Sequence, residues 1–102
     1  MAVVYKRVLL KVSGEALAGE KGAGFDENVI ASICFGIAKA YHAGTQIGIV
    51  VGGGNFWRGR SSGKMDRMDA DKIGMLATVM NALALKDALR QAGVPAVVMT
   101  SA

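Results

Sequence analysis

Two kinds of hydrophobic run alternate along the chain. Val8-Leu9-Leu10 with Val12, and Ile47 to Val51, are short and almost continuously apolar, the pattern of strands buried on both faces of a parallel sheet. Each run stops at glycine, Ser13-Gly14 after the first and Gly52-Gly53-Gly54 after the second. Between them Ile30, Ile33, Cys34, Ile37, Ala38 and Tyr41 recur at helical spacing. Asp26 stands where it can cap that helix, Phe25 and Ile30 where they can staple its first turn, and Gly44 where it can end the helix in the left-handed conformation.

A longer helix is predicted from Asp71 to about Gln91, where Ala, Leu and Met dominate. Asp71 lies at its positive end, Arg90 at its negative end, and Gly93 follows. Ile73, Leu76, Met80 and Leu83 form one apolar stripe and Met75, Val79, Ala82 and Leu85 another, which predicts packing against both a sheet and a neighbouring element. Gly19 to Gly24, with glycine at 19, 22 and 24, reads as a flexible surface loop. Asn55 to Ala70 reads as a short turn followed by a mobile connection, and Pro95 to Thr100 as the start of a third strand. Strand, helix, strand, helix, strand is the order of a parallel α/β sandwich, and no repeat, low-complexity stretch or internal boundary divides residues 1–102.

Composition changes this picture in one respect. The chain has 102 residues, of which 52% are hydrophobic, and its mean hydropathy is +0.35. A chain so short hides only about 60 to 65% of its unfolded surface. We therefore expect either association or a missing part. The net charge of +4, from 12 basic and 8 acidic side chains without a long single-sign run, leaves a nucleotide, a nucleic acid and an anionic surface all open. The single cysteine, Cys34, excludes an internal disulfide and suits a reducing setting. His42 is the only histidine, so neither a His-rich metal site nor a Ser-His-Asp triad can be assembled. The apolar run after Lys6 and Arg7 meets Lys11 too soon for a signal peptide, and Ile73 to Leu85 is too short to span a membrane.

The candidate chemistry lies where the strands end. Glycine turns after two adjacent parallel strands open on one edge, the edge where open α/β sheets bind ligands, and glycine lets backbone N–H groups approach phosphate oxygens. Lys11 sits two residues before the first turn in an otherwise apolar strand, where an ammonium suits an anion better than packing; the plain alternative is a lysine snorkelling from an edge strand. Arg58, four residues beyond Gly54, can fold back as a bidentate fork over a phosphate. Asp71 is either a helix cap or a partner for two sugar hydroxyls, with Asp66 and Asp69 as rivals. Trp57 reads as packing, and Arg60, Lys64 and Arg67 as solvated loop charges. Gly59 to Lys64 is not a P-loop: three residues separate its glycines and Met65 stands where Ser or Thr is needed. Gly52-x-Gly54 fails the dinucleotide fingerprint because Trp57 occupies the place of the third glycine.

Taken together, Lys11-Val-Ser-Gly-Glu-Ala-Leu17, Gly52-Gly-Gly-Asn-Phe-Trp-Arg-Gly59 and Asp71-Lys-Ile-Gly-Met-Leu-Ala-Thr-Val-Met-Asn81 resemble the bacterial uridylate kinases of the amino acid kinase superfamily. The first two elements are shared more loosely across the superfamily, and the third discriminates. The resemblance implies a parallel-sheet three-layer α/β sandwich, of which residues 1–102 are an incomplete N-terminal part. It implies transfer of the ATP γ-phosphoryl group to UMP, in pyrimidine nucleotide synthesis. Lys11, Val12, Ser13 and Gly14 would meet the ATP phosphates, with Lys11 as the catalytic cation. Gly54 and Arg58 would lie where the phosphoryl group moves, Arg58 also catalytic. Gly53 would touch the UMP phosphate and Asp71 the UMP ribose. Gly19, Glu20, Lys21, Gly22, Ala23 and Gly24 would belong to the region where GTP activates. Magnesium carried by the nucleotide, inhibition by UTP and hexamers in the cytoplasm are also implied, and the 102 residues alone are not expected to be a competent kinase. Two alternatives stand beside this reading. One is another amino acid kinase with a small carboxylate acceptor. The other is a noncatalytic module binding RNA or DNA through Arg58 to Arg67, which the single tryptophan and absence of interleaved aromatics disfavour.

Overall fold

A computed structural model of the chain describes residues 7–56 and 66–99. Strands β1 (Arg7–Val12) and β2 (Gln46–Val51) pair in parallel, from Arg7 opposite Gln46 to Val12 opposite Val51. Helix α1 (Gly14–Ala18) and a 3-10 turn (Gly19–Lys21) follow β1, α2 (Glu27–His42) leads to β2, and α3 (Arg67–Gln91) completes the order. The chain is thus α/β with a parallel sheet, as its pattern predicts.

Strand residues alternate in burial. Val8, Leu10, Val12, Ile47, Ile49 and Val51 turn inward, and Arg7, Leu9, Lys11, Gln46, Gly48 and Val50 outward. The inward set packs on a core of Leu17, Ile30, Cys34, Ile37, Ala38, Leu85, Leu89 and Val94. The strands are therefore not covered on both faces: Leu9 is 73% exposed. The described helices supply one layer, so the sheet and one helical layer of the expected sandwich are present. A parallel sheet this apolar is normally covered on both faces.

Helix α2 follows its sequence signals closely. The Asp26 carboxylate accepts hydrogen bonds from the N–H groups of Asn28 at 3.0 Å and Val29 at 3.3 Å. Beyond the last turn Gly44 adopts φ 101°. Ile30, Cys34, Ile37 and Ala38 form its buried face, and burial pushes the Cys34 thiol above its ordinary pKa, keeping it a neutral core side chain. Gly36 lies on this helix, and among the described residues nothing stands within 4 Å of where its Cβ would be. Gly36→Ala should therefore stabilise the chain by about 0.5 to 1 kcal/mol through the helix propensity gained. A thermal melt in which the variant unfolds earlier than the parent would show that this position needs glycine.

Helix α3 corrects two expectations. It begins at Arg67, with Asp66 in the capping position but making no side-chain cap, and the N–H of Ala70 donates to the Asp66 carbonyl at 3.0 Å. Residues 67–70 are thus helical instead of a connecting loop, and Asp71 is not the cap. Arg-Met-Asp-Ala contains nothing that breaks a helix, so the helix runs back through it. The buried stripe is Ala77, Asn81, Leu85 and Leu89, at four-residue spacing toward α1, α2 and β2. Leu76, Met80 and Leu83, which the pattern assigns to a packed face, are exposed, because every described neighbour lies on the other side.

The third strand is also corrected. Val94 is buried and Ala96 packs on the core, whereas Val97 and Met99 are 85% and 91% exposed. Residues 95–99 thus keep the burial alternation of a strand, but no described segment forms a ladder with them and the sheet has two strands. Thr100 lies outside the described residues. Among those residues no helix is long and apolar enough to cross a membrane.

Candidate phosphate-binding site

Parallel pairing brings the ends of β1 and β2 to one edge. One further ladder bond, from the N–H of Gly52 to the Val12 carbonyl at 3.2 Å, carries the pairing past the end of β2. After β1, Ser13 turns the chain into α1, its hydroxyl accepting from the Ala16 N–H at 3.2 Å. After β2, a tight turn closes when the Phe56 N–H donates to the Gly53 carbonyl at 3.1 Å.

The two turns touch backbone to backbone. A Cβ on Gly14 would stand 2.5 Å from the Gly54 nitrogen and 2.9 Å from Asn55 Oδ1, closer than any real side chain allows. A Cβ on Gly53 would stand 2.9 Å from Ala77 Cβ and 3.1 Å from the Thr78 nitrogen, and one on Gly54 would run into the Glu15 carboxylate. The second turn is thereby wedged between α1 and α3. Among the described residues none accepts a hydrogen bond from the N–H of Gly14 or of Gly53. Backbone donors without a partner among the described residues, at the ligand edge of an α/β sheet, are suited to an anion.

A buried polar knot holds this arrangement. Asn55 and Asn81 face each other, Asn55 Nδ2 donating to Asn81 Oδ1 at 2.9 Å and Asn81 Nδ2 to Asn55 Oδ1 at 2.7 Å. Asn55 Nδ2 also donates to the Gly24 carbonyl at 2.8 Å, and Asn81 Nδ2 to the Gly52 carbonyl at 2.6 Å. Both asparagines lie inside the motifs Gly52–Gly59 and Asp71–Asn81, yet the sequence alone assigns neither a task. The available signal was a lone amide amid the alanines, leucines and methionines of α3, since a polar group buried there must find partners.

The Gly19–Gly24 segment is more fastened than a flexible loop. Gly19 to Lys21 form the 3-10 turn and Gly22 ends it at φ 77°. Lys21 Nζ donates to the Phe25 carbonyl at 3.1 Å, and the Gly24 N–H donates to the Asn55 carbonyl at 3.0 Å. Phe25 meets Phe56 edge to face at 5.1 Å. Its far end is thus tied to the second glycine turn, while Glu20 and Ala23 face solvent.

The predicted side chains divide as follows. Lys11 is the penultimate residue of β1, opposite Val50 on the outward face and exposed. Val12 faces the core, and Ser13 is exposed at the start of α1. Asp71 is exposed in the second turn of α3, three residues before Gly74, whose carbonyl oxygen would lie 3.2 Å from a Cβ on Gly53. Residues three apart share a helix face, so Asp71 stands on the face that meets the turn, about 4.5 Å further out along the axis. Asp66 and Asp69 are exposed at the start of α3. Arg58, with Trp57, Arg60 and Lys64, lies outside the described residues. A groove runs elsewhere among the described residues, between α2 and α3 past Phe25, Phe35 and Ala88, and its walls are mainly apolar. The donors without an acceptor among the described residues, and not the size of a hollow, mark the glycine turns as the candidate site.

The model of the amino acid kinase family matches residues 6–102. The chain is similar to a solved UMP kinase from Bacillus anthracis, at 40% identity and a TM-score of 0.78 over 85% of this chain and 36% of that one. It is also similar to the UMP kinase from Ureaplasma parvum, at 36% identity and a TM-score of 0.83 over 93% of this chain and 42% of that one. The chain therefore spans 36 to 42% of the length of those two kinases.

Proposed function

The chain belongs to the amino acid kinase family, and on that premise we propose that it is the phosphate-binding and acceptor-binding part of a UMP kinase. The carrying observation is the contact between the glycine turns, which sets the N–H groups of Gly14 and Gly53, accepted by none of the described residues, at neighbouring points of one edge. A kinase must bring two anionic chains together, and adjacent backbone donors do so without a bulky side chain between them. In this reading Lys11, Val12, Ser13 and Gly14 receive the ATP phosphates and Gly53 the UMP phosphate. Gly54 and Arg58 lie at the junction. An oxygen of the UMP phosphate attacks the ATP γ-phosphorus, the bond from that phosphorus to the β-bridging oxygen breaks, and ADP leaves with its electron pair. Lys11 and Arg58 offset the charge on the oxygens in transit, with no covalent intermediate on the protein.

Magnesium belongs to this reading as an ion carried on the nucleotide. Among the described residues no three His, Cys, Asp or Glu side chains converge on a metal position. Magnesium chelated by phosphate oxygens and water needs none of them. When bound it neutralises phosphate charge. GTP activation near Gly19 to Gly24, UTP inhibition and a cytoplasmic hexamer complete the proposal, and the exposed Leu76, Met80 and Leu83 on α3 support self-association.

The test is whether the full-length protein makes UDP from ATP and UMP while leaving small carboxylates unphosphorylated; phosphorylation of a carboxylate in preference to UMP would replace this reading with that of another amino acid kinase. Asp71 gives a sharper check. If it binds the ribose hydroxyls, Asp71→Ala should raise the KM for UMP by about 10-fold, the value of a charged hydrogen bond, and leave that for ATP nearly unchanged. Equal changes in both constants would return Asp71 to a purely structural role.

A further inference from the structure

Asn81 is 0% exposed in the middle of α3, and Asn55 is buried in the turn after β2. Two buried amides are tolerated only if their polar atoms are met. Their mutual bonds use one donor of each, and the remaining donors reach Gly24 and Gly52. The bond from Asn81 Nδ2 to the Gly52 carbonyl, at 2.6 Å, has a consequence beyond packing. The Gly52–Gly53 peptide is trans, and a planar trans peptide points its carbonyl and its N–H in opposite directions. Holding the Gly52 carbonyl toward Asn81 therefore directs the Gly53 N–H away from it, where no described residue accepts it. A peptide between two glycines lacks the Cβ atoms that restrict rotation, so it needs an external hold. A flipped peptide would present a carbonyl oxygen to a phosphate and repel it.

We infer that Asn81, braced by Asn55, is a positioning residue that sets the direction of the Gly53 N–H for the acceptor phosphate. The inference rests on the reading of the chain as part of a UMP kinase. Its test compares the full-length protein with its Asn81→Asp and Asn81→Ala variants, assayed well below their melting temperatures. At pH 8 both substitutions should lower kcat/KM for UMP by about 10-fold or more, as the Gly52 carbonyl loses its donor and the peptide its hold, with the KM for ATP within about 2-fold. Asn81→Asp should recover part of the loss relative to wild type as pH falls, because the protonated carboxyl regains one O–H donor. Asn81→Ala should not recover. Unchanged kcat/KM for UMP, or the same pH profile for both variants, would overturn the inference while wild-type activity left the functional reading standing. Wild-type protein that neither binds nor phosphorylates UMP would remove both. Should neither variant fold, UMP added to wild-type protein labelled with nitrogen-15 glycine decides the matter: the Gly53 amide should shift well beyond the Gly52 amide, and a Gly53 amide unmoved by bound UMP refutes the assignment.

Discussion

Lys11→Ala in the full-length protein is expected to lower kcat by at least about 100-fold, the usual loss when a preorganised charge at a phosphoryl transfer site is removed. Lys11 makes no contribution to the core: it lies on the outward face of β1, opposite Val50, and is exposed. Its removal should leave the melting temperature nearly unchanged, so a kinetic loss could not be assigned to unfolding. The loss should appear in kcat more than in the KM for UMP, because a cation aimed at the group in flight acts most strongly in the transition state. Lys11→Arg should restore only part of the rate, since a planar guanidinium does not occupy the place of a compact ammonium. Near-normal turnover of Lys11→Ala in a steady-state assay with saturating ATP and UMP would remove Lys11 from the mechanism.

Legibility differs between the elements for physical reasons. Helix α2 was readable because Asp26, Phe25, the apolar period and Gly44 all specify the same segment, and each acts within a few residues of itself. Helix α3 was readable in its body but not at its start, since Arg67 to Ala70 contains neither a breaker nor a working cap. Its buried face was misassigned because a helix apolar all round does not reveal which side has a neighbour; Ala77, Asn81, Leu85 and Leu89 turn inward while Leu76 and Met80 do not. The segment after Val94 shows a related limit. Alternating burial is a property of the segment, but a strand exists only with a hydrogen-bonded partner. At the site, glycine at two strand ends marked the turns from sequence alone. The Asn55–Asn81 knot was not legible, because its partners stand 26 residues apart and become neighbours only when α3 lies against the turn.

The contact between the turns leads to the second large effect, expected for Gly14→Ala. The added methyl would stand 2.5 Å from the Gly54 nitrogen and 2.9 Å from the Gly53 carbonyl carbon. These are backbone atoms, so no side-chain rotation can relieve the clash. Neither turn has room to retreat: α1 is anchored by Leu17 in the core, and Gly53 already lies against Ala77 and the backbone of α3. Overpacking of this kind costs about 1 to 3 kcal/mol, so the melting temperature should fall by several degrees. Activity should suffer more than stability. If the turns part by an ångström, the donors of Gly14 and Gly53 no longer hold the two phosphate chains in line, a displacement worth about 100-fold in rate. Gly52→Ala is the control, because among the described residues a Cβ there meets only the Gly14 nitrogen at 3.7 Å, an ordinary contact. That variant should keep turnover within a few-fold of the parent, although it alters the same glycine run. Comparable losses for Gly14→Ala and Gly52→Ala, measured as kcat on protein shown to be folded, would mean that flexibility of the run matters and close approach of the turns does not. A large loss for Gly14→Ala alone would identify the backbone contact between the two strand ends as what brings donor and acceptor phosphates together.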